Sequence, residues 1–187
     1  MKKLDLYVKH KAEYVAPKKP VLIDVAPAQY LVIAGRGKGG GPEFQKKLGA
    51  LYGVAFTIKM AKKAAGRDYG VCKLEGLWRS DQDWTLLIRT PDFVTAKDLK
   101  EAVGRLREKG KDAEVEEVKI ERLHEGRSVQ MLHVGPYDRE QGTMEAMRAF
   151  AAAAGMKFGG LHHEIYLSDP RRVAAEKLRT ILRYPVK

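Results

Sequence analysis

The sequence predicts an α+β fold: a duplicated β-α-β-β repeat forming one antiparallel sheet, with helices on one face and a concave ligand cleft on the other. Three observations carry this. The order strand, glycine turn, helix, glutamate-bearing strand, closing strand runs twice along the 187 residues. Both passes end on two aliphatics, arginine, one residue and proline: Leu87-Ile88-Arg89-Thr90-Pro91 and Ile181-Leu182-Arg183-Tyr184-Pro185. Gly35 and Gly135 mark the same turn in each pass, and Glu75 of "LEGLW" aligns with Glu164 of "HEIYL". The common order of these matches argues for a repeat, one half about 21–110 and the other about 111–187, behind an N-terminal arm of residues 1–20.

Each element follows from local pattern. The lysine-rich arm ends in "APKKP" and reads as a loosely packed extension. "YLVIAGRGKGGG" passes from an apolar strand into a glycine-rich loop. In "GPEFQKKLGALYGVAFTIKM", Pro42 stands at a helix start, and Phe44, Leu48, Leu51, Ala55 and Ile58 recur at helical spacing, so one face is buried. "GVCKLEGLWR" and "DWTLLIRTPDF" read as strands joined by the polar turn "SDQD". Thr95 with Asp98 makes a capping box for a helix that turns Leu99, Val103 and Leu106 inward and closes at Gly110. In the second pass "SVQMLHVGPYD" is a strand ending at a glycine turn, and Asp138 with Gln141 reads as a second capping box. The helix "REQGTMEAMRAFAAAAG" puts Met144, Met147 and Phe150 or Ala151 on one stripe before Gly155. "LHHEIYLSD" is a strand, Asp169-Pro170 reads as the cap and first residue of a short helix "RRVAAEKLRT", and "ILRYPV" closes the chain as a strand.

Composition removes several classes of function. The formal net charge is +11, which admits nucleic acid as a partner. The bases are scattered, however, and "TAKDLKEAVGRLREKG" interleaves acids with them as a solvated helix face does; no helix-turn-helix or zinc-finger spacing occurs. Nucleic acid is therefore not expected as the main partner. No apolar run approaches the roughly 20 residues that span a bilayer, so no membrane partner is expected. Cys72 is the only cysteine, which excludes an intramolecular disulfide and a cysteine-rich zinc site. The start "MKKLDLYVKHKAEY" lacks an apolar stretch and does not read as a signal peptide, so the expected location is cytoplasmic.

The candidate chemistry lies on the glutamate-bearing strands. Strand side chains alternate, so Leu161, His163, Ile165 and Leu167 share one face of "LHHEIYLS" and His162, Glu164, Tyr166 and Ser168 the other. The first set is read as the helix-packed side and the second as the lining of the open cleft. A carboxylate among aromatic rings holds cations or planar, electron-poor ligands; if desolvated, Glu164 could also act as a general acid or base. The plain alternative is a solvated carboxylate. Glu75, at the matching place, would give a carboxylate pair suited to activating water or binding a cation. Strict alternation sets Trp78 opposite Glu75, so it reaches the cleft only if a bulge near Gly76 re-aims it, and otherwise packs in the core. Tyr137 sits at a strand-to-helix turn, where rim residues lie, and Tyr52 is a further candidate ligand contact. Metal is not expected: His162 and Glu164 offer two donors, with no third at a fixed spacing and no HExxH. The loop "GKGGG" lacks the phosphate-loop pattern and reads as a flexible rim.

Several of these stretches together resemble the GyrI-like small-molecule-binding family. In the first half they are "PEFQKKLGALYGVAFTIKM", "KLEGLW" and "WTLLIRTPDFVT"; in the second, "HVGPYD", "GLHHEIYLSDPRR" and "LRTILRYPV". The resemblance runs from about Pro20 to the end and implies a cleft holding a ligand over the repeat junction. It implies that Glu164 is the characteristic ligand contact, with a planar aromatic or cationic small molecule as partner and no cofactor. Members of the family include ligand domains of multidrug-responsive transcription activators, the DNA gyrase inhibitory protein, and stand-alone hydrolases that open cyclopropane rings of DNA-alkylating compounds. In contrast to the regulators, no DNA-binding domain is expected in this chain. The expected function is therefore a cofactor-independent hydrolase of strained, cyclopropane-containing genotoxic compounds, with Glu164 and Glu75 positioning water and Trp78, Tyr166, Tyr137, His162 and Tyr52 holding the ligand. The alternatives are a multidrug-binding or sequestering module without turnover, and a gyrase-inhibitor-like interaction protein.

Overall fold

A computed structural model of the chain describes residues 3–111 and 113–187. Along the chain the elements are α1 (Leu6–Lys9), α2 (Lys11–Tyr14), β1 (Val21–Val25), β2 (Ala28–Arg36), α3 (Pro42–Ala64), β3 (Glu75–Ser80), β4 (Asp83–Thr90), α4 (Ala96–Glu108), β5 (Lys119–Leu123), β6 (Gly126–Val134), α5 (Gln141–Ala153), β7 (His162–Tyr166) and β8 (Arg179–Pro185). The fold is α+β, with antiparallel strand pairing and the long helices packed on one side of the sheet in each of two compact units. One unit comprises residues up to Lys9 with Ala28–Leu123, and the other His10–Pro27 with His124–Lys187.

In the first unit the strand order is β3-β4-β2-β5. The apolar stripe of α3, Phe44, Leu51, Val54, Ala55 and Ile58, packs on Leu31 and Ile33 of β2 and Trp84, Leu86 and Ile88 of β4. Burying each of the larger side chains contributes roughly 2 kcal/mol. Gly35 is required by a close approach: a Cβ there would lie 2.2 Å from the Trp84 ring. The Trp84 indole N–H donates to the Gly37 carbonyl at 2.8 Å, which fixes the ring over the strand end. Thr95 and Asp98 form the expected capping box on α4, and Gly110 takes a φ of 71° just beyond its end.

In the second unit the order is β1-β6-β8-β7. Met147 and Ala151 of α5 pack on Val129 of β6 and Leu182 of β8, while Phe150 stays exposed. Ala151, not Phe150, therefore continues the stripe. Both β1 and β5 lie outside the strands read from the sequence. Each precedes its neighbour by a two-residue link yet pairs elsewhere: β1 with β6 (Leu22 opposite Val129), β5 with β2 (Ile120 opposite Leu31).

Three local expectations are corrected. The arm is not loosely packed: Leu6, Tyr14 and Ala16 are buried, the Pro17 carbonyl accepts from Leu132 N–H, and the Ala12 carbonyl accepts from Gln130 Nε2. Its basic composition hid three apolar anchors. Asp138 and Gln141 form no capping box, because a 3-10 turn at Tyr137–Arg139 intervenes and puts Glu140 at the cap position with no side-chain cap bond. "RRVAAEKLRT" does not form an α-helix either. The Asp169 side chain and carbonyl take the N–H groups of Arg171, Arg172 and Val173 in a closed turn, followed by a 3-10 turn at Ala175–Lys177.

Candidate functional site

Directly opposed residues of an antiparallel ladder present their side chains on the same face. Glu164 stands opposite Leu182, which packs with Met147 of α5. His162, Glu164 and Tyr166 therefore turn toward α5, and the sequence assignment of the two faces is reversed. His163, opposite Arg183, takes the other face, where it is fully buried and 3.0 Å from Glu125. The alternation was correct. Both faces of β7 are covered, so apolar content could not say which one meets the helix.

The match of Glu75 with Glu164 is corrected as well. Arg89 and Arg183 occupy the same place in the two halves, which puts Leu87 level with Ile181 and Ile88 level with Leu182. Glu75 opposes Leu87, whereas Glu164 opposes Leu182. The counterpart of Glu75 is therefore Ile165, and a one-residue slip reverses the face. Glu75 is fully buried in the first unit, on the side of its sheet away from α3. Trp78 opposes Trp84 and joins the α3 core, stacked on Phe44 at 6.4 Å; the bulge falls after it, between Trp78 and Ser80. Tyr52 packs against the same core and stacks on Phe56.

The second unit gathers the remaining candidates and adds Glu140. His162 Nε2 lies 3.0 Å from Glu164 Oε1 and 3.6 Å from Glu140 Oε2. The imidazole stacks on Tyr184 at 4.8 Å, and Tyr184 in turn stacks on Phe158 at 4.2 Å. Tyr137 meets Tyr166 edge-on at 5.8 Å, with Tyr137 partly exposed. On the β6 side, His133 Nδ1 is 2.9 Å from Thr143 Oγ1 of α5. Glu140, Glu164 and His162 are thus an acid–imidazole–acid cluster, contributed by the start of α5 and one face of β7.

Electrostatics decide what the cluster can hold. Two unit charges about 5 Å apart at an effective dielectric of about 20 repel by roughly 3 kcal/mol, so two bare carboxylates here require positive charge or a proton. Burial raises the Glu140 carboxyl above its ordinary range; the imidazole of His162 opposes this and the charge of Glu164 adds to it. For His162, burial works against the charged form, but Glu140 and Glu164 outweigh it and the imidazole is raised. Tyr137 is raised by burial and then by the charges of Glu164, Glu140 and Asp169. The site accordingly favours protons and cations, and one donor atom from each of Glu140, His162 and Glu164 lies within 4.8 Å of the others, close enough to share a metal ion. Glu140 escaped the sequence reading although it lies three residues after Tyr137, where a turn of helix presents both on one side. Tyr184 carries no signal of its own in the sequence, where it fills the variable position of the repeat ending.

The fold is that of a small-molecule-binding domain, and its second unit gathers acids among aromatic rings. The chain belongs to the GyrI-like small molecule binding domain family, which matches residues 18–187. It is similar in structure to a hydrolase from Listeria innocua, with a TM-score of 0.92 and 39% identity, covering 99% of this chain and 100% of that one. A conserved protein of uncharacterized role from Listeria innocua is similar at a TM-score of 0.93 and 39% identity, with the same coverage of 99% and 100%. The EcmrR C-terminal domain shares the fold at a TM-score of 0.59 and 12% identity, covering 90% of this chain and 97% of that one. Among curated proteins, none matches the sequence. No helix among the described residues is long and apolar enough to cross a membrane.

Proposed function

We propose that the protein is a hydrolase that opens strained, electrophilic rings, such as the cyclopropane of genotoxic compounds, and thereby removes them. The observation that supports this is the buried Glu140–His162–Glu164 cluster beside Tyr137 and Tyr166, in a chain 39% identical over 99% of its length to a hydrolase. The tyrosine pair offers apolar ring surface and two hydroxyls to a planar substrate. Glu164, held by His162, accepts a proton from water as its oxygen bonds to a ring carbon. The breaking carbon–carbon bond gives its electron pair to the substrate's conjugated acceptor, which then takes up a proton. A positioned base of this kind supplies about 10²–10⁴-fold in rate. Ring opening of a cyclopropane-bearing alkylator, followed by mass spectrometry, tests the reading. The expected result is turnover above buffer that falls at least a hundredfold in Glu164→Gln; a rate equal to buffer, or one unchanged in the variant, removes it.

A second reading, binding without turnover, is favoured by the pairing pattern of the acids. No lysine or arginine among the described residues forms an ion pair with Glu140 or Glu164, and carboxylates beside rings suit a hydrophobic organic cation. Thermal stabilisation by aromatic cations without product formation would select this reading.

A further inference from the structure

We propose that Glu140, His162 and Glu164 bind one divalent first-row transition-metal ion. This rests on the same cluster being the reacting centre, and it adds the ion that would sit there. His162 Nε2 is 3.0 Å from Glu164 Oε1 and 3.6 Å from Glu140 Oε2. Two donors held about 2.1 Å from one ion, at ordinary coordination angles, are about 3.0–3.4 Å apart. The imidazole is thus spaced from both acids much as in a shared coordination shell. The widest donor separation, up to 4.8 Å, closes by rotation about the terminal torsion of a glutamate, whose wells are broad.

An independent observation points the same way. The Glu140 side chain is only 9% exposed and accepts no hydrogen bond from a described residue, and its Oε1 is buried without a partner. At 3.6 Å its other oxygen is too far from His162 for a hydrogen bond. A carboxylate so placed has only the His162 imidazole to offset its lost water, and that one imidazole also faces Glu164, so it cannot neutralise both acids. The sequence offered only His162 and Glu164 because the third donor comes from a different element, the start of α5.

One nitrogen and two carboxylate donors suit Zn²⁺, Mn²⁺ or Fe²⁺ better than Ca²⁺ or Mg²⁺, which prefer oxygen shells. Three protein donors leave a coordination position for water, which the ion would make more acidic, and the unbound oxygen of a monodentate Glu164 would remain to take its proton. His162 Nδ1 is buried without a partner. The imidazole therefore lacks the outer acceptor that usually strengthens a metal-bound histidine, and affinity should be about 10–100-fold below that of a site with one.

The test strips the full chain with a chelator, then titrates Zn²⁺ by calorimetry and Co²⁺ by visible absorption. One ion per chain is expected, weakened at least tenfold in Glu140→Gln and in His162→Gln and unchanged in His124→Ala, a surface histidine outside the cluster. Absence of stoichiometric uptake, or equal affinity in Glu140→Gln, overturns the proposal. If either variant misfolds, the wild-type Co²⁺ spectrum decides: ligand-field bands of nitrogen and oxygen donors support the site, and a thiolate charge-transfer band, marking Cys72, overturns it. Ring opening with and without chelator separates this proposal from the hydrolase reading. Chelator-insensitive turnover in a chain that takes up no ion removes the metal and leaves the hydrolase, whereas Glu140-dependent uptake without turnover supports the metal and removes the hydrolase.

Discussion

Glu164 stands opposite Leu182 in the β7–β8 ladder, a carboxylate beside a core leucine. It is 8% exposed, and its one hydrogen-bond partner among the described residues is His162. A fold gains little from such a group, and proteins keep destabilising residues where function needs them. Glu164→Gln should leave urea-unfolding stability at pH 7 unchanged or raise it by about 1 kcal/mol. A loss beyond about 2 kcal/mol, of the size expected from breaking a buried network, would make Glu164 structural and sink this prediction.

Glu125 behaves in the opposite way. It lies 3.0 Å from His163 Nδ1 and 2.8 Å from Arg183 Nη1, on the far face of the same strands. Burial acts to raise its carboxyl, but the charges and hydrogen bonds of His163 and Arg183 prevail and hold it down at about 2, against an ordinary 4.5. A value lowered by folding stabilises above the unfolded value, and that contribution fades as the pH falls from about 4.5 toward 2. Glu125→Gln leaves the buried Arg183 guanidinium without its carboxylate, so it should cost about 3 kcal/mol at pH 7. The variant should also lose stability less steeply than wild type between pH 4.5 and pH 2 in urea titrations. Parallel acid limbs would refute the assignment.

The contrast between these glutamates shows how far the sequence could be read. Periodicity sufficed for α3, β4 and α4, whose apolar residues meet a single core: Phe44, Leu51 and Ile58 are all where helical spacing put them. It also separated His162 and Glu164 from His163. It could not assign their faces, because the far face of this sheet is also covered: His163 and Ile165 are fully buried there, and the arm's Glu13 carbonyl accepts from Arg183 of the neighbouring β8. Nor could it detect that Glu75 and Glu164 differ by one residue in register, since motif similarity has no way to count ladder pairs. Glu140 enters the site through a 3-10 turn that displaces the start of α5, and the cap propensity of Asp138 carries no sign of that turn.

The two capping boxes read from sequence separate cleanly in a stability measurement. Thr95 Oγ1 accepts from Asp98 N–H, and the Asp98 carboxylate accepts from Thr95 N–H at 2.7 Å. Thr95→Ala should cost about 1 kcal/mol. Asp138 is exposed and caps nothing, so Asp138→Ala should stay within about 0.5 kcal/mol of wild type. Equal effects in thermal unfolding would contradict the geometry.

Glycines give the sharpest test of packing, because two of them make opposite predictions. At Gly35 an added Cβ would lie 2.2, 2.4 and 2.8 Å from three carbons of the Trp84 ring. That ring is fully buried, edge-on to Phe44 at 5.1 Å and hydrogen-bonded to Gly37, so it has no free direction in which to move. Gly35→Ala should destabilise by about 3 kcal/mol. Gly49 lies inside α3 with nothing within 4 Å of the same added atom. There the methyl only restricts the unfolded chain and favours helix, so Gly49→Ala should stabilise by about 0.5–1 kcal/mol. Because the cost at Gly35 comes from one ring, Trp84→Leu should make Gly35→Ala nearly neutral in a double-mutant cycle, with a coupling of about 3 kcal/mol. Additive effects of the two substitutions would show that Gly35 is required for its backbone rather than for the space its missing side chain leaves to Trp84.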